Sequence, residues 1–164
     1  MRLRLSVFVA AFSILAAPPS SAPLALAQAH QGPAAAHRAA LPTLTMHKSP
    51  GCLCCDKWVE IAKAEGFKVA VIESSDMPGL KQRVGVPLAK ISCHTTTGGG
   101  YFFEGHVPLD LVRKVLATRP ALAGLLAPGM PQSAPGMDDG RRPHQPYQIL
   151  ALSRDGKLTP YALR

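Results

Sequence analysis

Met46-His47-Lys48-Ser49-Pro50-Gly51-Cys52-Leu53-Cys54-Cys55-Asp56-Lys57-Trp58 joins the end of a strand, a turn and the start of a helix, with three cysteines at the junction. Upstream, Leu41 to His47 alternates apolar with β-branched residues and reads as a first strand. Ser49-Pro50-Gly51 has turn chemistry. Trp58, Ile61 and Ala62 recur at helical spacing, so a helix is expected from about Cys52 to Ala64, with Gly66 at its C′ position. Phe67 to Ile72 is apolar and β-branched and supplies a second strand, which completes a β-α-β unit.

The downstream signals extend this unit. Asp76 suits the N-cap of a short helix running to about Val84, which Gly85-Val86-Pro87 breaks. Ile91 to Thr97 and Tyr101 to Glu104 flank Gly98-Gly99-Gly100 and read as a hairpin. Pro108 then opens a helix with Leu109, Val112, Val115 and Leu116 on one face and Pro120 beyond its end. The order β-α-β-α-β-β-α is that of an α/β, thioredoxin-like domain over residues 42–126, with the cysteines at the start of its first helix. Pro128 to Pro146 is a Pro/Gly/Met-rich loop, and Tyr147 to Leu163 reads as a closing hairpin turning at Asp155-Gly156. Residues 127–164 are thus expected as an extension packed on the same domain.

The first residues call for a different reading. Arg2 and Arg4 precede an apolar run from Leu5 to Ala17, which Pro18-Pro19 ends, and Ala25-Leu26-Ala27 fits a signal-peptidase site. The run is shorter than the roughly 20 residues a membrane-spanning helix needs. An export signal over residues 1–27 and a flexible leader over 28–41 are expected, with cleavage after Ala29 as a second choice. The implied location is periplasmic, with no stable membrane insertion once the signal is removed. Cleavage after Ala27 leaves 16 basic residues against 10 acidic, a net charge of +6. Lys57, Lys63, Lys68, Lys81, Lys90 and Lys114 are scattered without interleaved aromatics and read as solvated faces, which argues against a nucleic-acid partner. The new terminus would be Gln28-Ala29-His30, whose amine, two amides and imidazole form a square-planar set suited to Cu(II). The plainer reading is a tail with an incidental His30.

All four cysteines lie in the exported part, where disulfides persist. A structural framework spreads its cysteines to close long loops. Here three sit within four residues, so the arrangement is a site. A helix N-terminus stabilises thiolates, commonly lowering their pKa to about 3.5–7.5. Thiolate is both the metal-binding and the disulfide-attacking form, so this physics leaves the choice open. Cys52 and Cys55 have redox C-x-x-C spacing, but Cys54 between them offers a competing thiol. Three thiolates on one turn plus a distant Cys93 suit Cu(I), which accepts few ligands and bridging sulfur, better than tetrahedral zinc.

Cys93 gains weight from the fold, because thioredoxin-like domains bring the start of the third strand against the first helix. Redox members usually place proline at that contact, and Pro87 comes too early to fill it. A buried strand cysteine beside an incidental His94 is the plain alternative. His47 and His106 are, individually, more often satisfied polar residues than ligands. Met130 and Met137 sit in two copies of Pro-Gly-Met seven residues apart. Such methionines usually pack as apolar plugs, yet thioether is also a Cu(I) ligand. Trp58 reads as core packing.

Several segments together resemble the CopG-type periplasmic copper-resistance family, formerly a domain of unknown function. They are Lys48 to Trp58, Gly85-Val86-Pro87, Ser92-Cys93-His94-Thr95, Gly100-Tyr101, Glu104-Gly105-His106-Val107-Pro108, Pro128-Gly129-Met130-Pro131 and Ser133-Ala134-Pro135-Gly136-Met137. The resemblance implies a thioredoxin-like domain binding copper through Cys52, Cys54, Cys55 and Cys93, as a multinuclear Cu(I) cluster, with roles in copper tolerance and redox cycling. Copper ions and other periplasmic copper-handling proteins are the implied partners. Leu53 departs from the family's usual glycine, and its bulk is expected to restrict how the loop wraps metal. Ser133-Ala134-Pro135 is a harmless variation. The leading reading is a metal-binding protein with no catalytic residues. A thiol–disulfide oxidoreductase using Cys52 and Cys55 is the rival, and a zinc-stabilised adaptor comes third.

Overall fold

The computed structural model describes residues 41–164. The segments expected as export signal and leader, up to residue 40, lie outside the described residues, and so does the Gln28-Ala29-His30 motif. The chain is mixed α/β. Its elements are β1 (Leu44–Lys48), α1 (Leu53–Ala64), β2 (Val69–Glu73), α2 (Met77–Val84), β3 (His94–Gly98), β4 (Tyr101–Glu104), α3 (Leu109–Thr118), β5 (Leu122–Leu126), β6 (Gln148–Ser153) and β7 (Leu158–Leu163). From β1 to α3 the order is the expected β-α-β-α-β-β-α. All seven strands form one sheet, in the order β2-β1-β3-β4-β5-β6-β7. β1 runs parallel to β2, β4 runs parallel to β5, and the remaining pairs are antiparallel.

Local chemistry explains the helix ends. Cys52 is the extended N-cap of α1, and the carbonyl of Cys52 accepts the Asp56 N–H at 3.3 Å. Asp56 in the first turn complements the helix dipole and also pairs with Lys48 at 2.8 Å. Lys48 ends β1, so this ion pair ties strand to helix on either side of the cysteine turn. At the far end, the Gly66 N–H donates to Lys63 O and the Phe67 N–H to Ala62 O, both at 3.0 Å, which closes the helix as a glycine C′ should. Asp76 caps α2 by accepting the Gly79 N–H at 2.8 Å.

Two sequence expectations change. β3 starts at His94 and not Ile91, because a 3-10 turn over Leu88–Lys90 intervenes and the Ser92 N–H is taken by the Glu104 carboxylate at 2.6 Å. The second change is β5, which sequence reading left unassigned. Leu122-Ala123-Gly124-Leu125-Leu126 has neither alternation nor β-branched residues, and its strand character comes from pairing with β4 and β6 on both sides. β5 thereby joins the closing hairpin, present as expected in β6 and β7, to the rest of the sheet.

Alternate residues of the central strands divide the core. Phe103, Leu125 and Ala151 belong to a large cluster with Trp58, Val59 and Ala62 of α1 and Leu109, Val112 and Val115 of α3. Their neighbours Phe102, Leu126 and Leu152 form a smaller cluster with Val86, just beyond α2. Trp58 is fully buried and donates its indole N–H to Val107 O at 3.0 Å, as core packing requires.

The loop between β5 and β6 docks back onto α1 through Gly136. Its φ is +83°, and a Cβ there would lie 2.8 Å from the Trp58 nitrogen and 2.9 Å from the Cys54 oxygen. Gly136→Ala should therefore destabilise by more than the roughly 1–2 kcal/mol of left-handed backbone strain alone. Gly140→Ala is the control, with φ +70° and open space around the new methyl. Urea unfolding of both variants checks this; equal losses would mean that the close approach at Gly136 contributes nothing.

Candidate metal centre

The N-terminal turn of α1 carries Cys52 as N-cap, Cys54 in the first turn and Cys55 facing the core, fully buried. Cys93 arrives from the residue before β3. Its Sγ lies 3.6 Å from Cys55 Sγ and 4.0 Å from Cys54 Sγ, and Cys54 Sγ lies 3.6 Å from Cys52 Sγ. Cys52 and Cys55 are joined as a disulfide, while Cys54 and Cys93 are free thiols. All four sulfur atoms lie within 4.8 Å of one another. The expected approach of the third strand to the first helix is thus present.

Cys93 also faces two imidazoles. His94 Nδ1 is 3.2 Å and His106 Nε2 is 3.1 Å from its Sγ, so Cys93, His94 and His106 form a second potential donor group sharing that sulfur. His106 Nδ1 is 2.7 Å from the carbonyl oxygen of Pro135, which can only accept, so Nδ1 carries the proton. The Nε2 lone pair is then directed at Cys93. The ring of His94 lies between Trp58 and His106, at centroid distances of 5.5 and 4.8 Å. Burial holds both imidazoles below the ordinary histidine range, most strongly His94, where His106 and Lys81 add to the effect. Both rings therefore stay neutral with lone pairs available. Burial also pushes the Cys93 thiol up to about 12, with Cys54 adding to the shift. A soft cation would have to displace that proton, as metal binding by thiols generally does. Sulfur donors at these separations, with neutral nitrogen donors beside them, fit a soft, thiophilic ion.

Some weaker candidates fall elsewhere. His47 lies in β1 opposite Ile72 and Thr95 and joins neither donor group, because strand alternation puts Met46 on the α1 side. The two Pro-Gly-Met copies are placed differently. Gly129 bridges to Ser92, leaving Met130 exposed at 55%, whereas Met137 is half-buried and follows the glycine docked on α1. Leu53 is 74% exposed, at the start of the helix between Cys52 and Cys54.

One part of the surroundings escaped sequence reading. Lys81, read there as a solvated charge, is 3% exposed, and it pairs at 2.5 Å with Glu104, which is fully buried. The only hint in the sequence is an acid ending the apolar run Tyr101-Phe102-Phe103. The pairing itself spans 23 residues and three elements, beyond any local pattern.

The neutral burial of histidines has a consequence in pH. His47, His94 and His106 are all held below the ordinary value of 6.5. As pH falls through that value the unfolded chain takes up protons before the folded one, so stability is full above it and is lost on descent towards the lowered folded-state values. Unfolding midpoints of the metal-free protein should fall steadily from pH about 7.5 to about 5. A midpoint that stays constant over that range would contradict neutral burial.

Residues 90–137 match the family described as "Protein of unknown function, DUF411". No curated protein matches the chain. Two solved structures, titled copper resistance protein CopG, Form 1 and Form 2, are each similar at 38% identity and a TM-score of 0.71, over 76% of this chain and 98% of theirs. That identity over almost the whole length of the relatives is decisive: the chain belongs to the CopG copper-resistance protein family.

Proposed function

We propose that this protein is an exported copper-binding protein that holds Cu(I) on Cys52, Cys54, Cys55 and Cys93, with His106 and His94 as accessory donors to ions bound at Cys93. The observation that carries the reading is the convergence of four sulfurs within 4.8 Å, one of which also faces two neutral imidazoles. Thiolates select soft cations, and sulfurs this close together can bridge neighbouring ions into one multinuclear cluster. The copper-resistance title of the related structures agrees with that chemistry. The N-terminal signal pattern supports a periplasmic location, where other copper-handling proteins would be the partners. Among the described residues no helix is long and apolar enough to cross a membrane.

Oxidation and metal binding compete for the same atoms. A sulfur in the Cys52–Cys55 disulfide has given up the thiolate charge that attracts a cation. Reduction by two electrons returns two thiolates, which with Cys54 and Cys93 complete the donor set. Oxidation of the two thiolates back to the disulfide would release two electrons, enough to reduce two Cu(II) to Cu(I). The rival reading, a general thiol–disulfide oxidoreductase, draws on the Cys52–Cys55 bond and its C-x-x-C spacing.

Anaerobic Cu(I) titration of the reduced protein tests the proposal. Each single Cys→Ser variant should lower the number of ions bound or their affinity, and Cys93→Ser binding like the parent would refute the four-sulfur site. The disulfide form should load less Cu(I) than the reduced form, with loading restored by reductant. Insulin reduction at the rate of a dedicated thioredoxin would favour the rival.

A further inference from the structure

We infer that Glu104, backed by Lys81, is a positioning residue that holds Cys93 at the sulfur cluster; this rests on the copper reading above. The carboxylate is fully buried and all of its partners are accounted for. Oε1 accepts the Ser92 N–H at 2.6 Å and the Lys81 ammonium at 2.5 Å, and Oε2 accepts the Thr95 hydroxyl at 2.6 Å. Lys81 Nζ also donates to Thr95 Oγ1 at 3.0 Å. One side chain thus grips the chain immediately before Cys93 and two residues after it.

The same carboxylate belongs to the segment that carries His106. Gly105, at φ +72°, turns the chain between them and donates its N–H to His94 O at 2.8 Å. A Cβ on Gly105 would run into the Ser92 side chain, so the two segments approach as closely as backbone allows. Ser92 is the common node. Its N–H goes to Glu104, its hydroxyl to Gly129 O, and it forms a parallel bridge with Gly129. Cys93, His106 and the first Pro-Gly-Met loop are therefore referenced to one buried oxygen pair.

Energetics argue that this pair serves placement. Desolvating a carboxylate and an ammonium costs several kcal/mol each, and replacing a buried ion pair by apolar residues of like volume is often neutral or stabilising. No strand partner takes the Ser92 N–H, because β3 begins only at His94. The Glu104 carboxylate takes that role just where a thiol must be held against a helix from elsewhere in the chain.

Two double variants separate positioning from charge. Lys81→Met with Glu104→Gln removes both charges but keeps an oxygen for the Ser92 N–H. Lys81→Met with Glu104→Leu removes that acceptor as well. The first should match the parent in Cu(I) bound per chain and in the rate at which Cys93 is alkylated in reduced, metal-free protein. The second, folded by circular dichroism and cooperative melting, should lose the copper that Cys93→Ser loses. Its Cys93 should alkylate about tenfold faster, the upper scale of one lost hydrogen bond. A folded Leu variant equal to the parent in both readouts would overturn the inference. Deuterium exchange in the unmodified protein provides a test that needs no variant: the Ser92 amide should be protected, and exchange as fast as neighbouring loop amides would also overturn it. If Cys93→Ser binds copper like the parent, the copper reading fails, while the alkylation and exchange measurements still decide whether Glu104 holds Cys93.

Discussion

The site depends on one long-range constraint, the packing of Cys93 against the N-terminal turn of α1. Without it Cys52, Cys54 and Cys55 are a crowded helix end, and His94 and His106 are buried rings with no shared purpose. With Cys93 Sγ 3.6 Å from Cys55 Sγ and 3.1 Å from His106 Nε2, sulfur and nitrogen donors become one continuous surface. β1 makes this geometry available by pairing with both β2 and β3, so that the strand leading into α1 lies beside the strand following Cys93.

Such a centre is expensive to build. His94 and His106 are buried at Cys93, and Thr95, Lys81 and Glu104 are buried in the network that takes the Ser92 N–H, so each needs hydrogen-bond partners to offset its desolvation. Some of the polar groups are well satisfied, as the Glu104 carboxylate is. Others are not: His94 Nε2 and Thr96 Oγ1 have no hydrogen-bond partner among the described residues. An orphaned His94 Nε2 on the ring that faces Cys93 is a cost of polar burial that the proposed metal centre would account for. The orphaned His47 Nδ1, on the other side of β1, is not explained by the centre.

The segment after β5 contributes to the centre as well as covering it. Pro135 sets the protonation of His106, Gly136 lies on the backbone of Cys54 and Trp58, and Gly129 holds Ser92. Its anchorage comes from β6 and β7, which extend the sheet beyond β5. The two Pro-Gly-Met copies look equivalent in sequence, but their glycines meet different neighbours, so one thioether is solvent-exposed and the other half-buried.

The sequence by itself determined the elements whose cause is local. The turn at Ser49-Pro50-Gly51, the helix from the cysteines to Gly66, the Asp76 cap, the glycine hairpin and the closing hairpin all follow from spacing, caps and turn residues within a few positions. It also singled out the cysteines as candidate metal donors, since three of them in four positions have little use as structural bridges. Tertiary structure decided which of those groups meet. Leu122–Leu126 is a strand only because two neighbours flank it, and Lys81 is buried only because Glu104 waits 23 residues away. His106 faces Cys93 while His47 does not, although the two histidines looked alike in sequence. Periodicity and capping act over a turn or two of chain, whereas side-chain convergence depends on strand register and on the face each strand presents. Those are settled only when the whole sheet assembles.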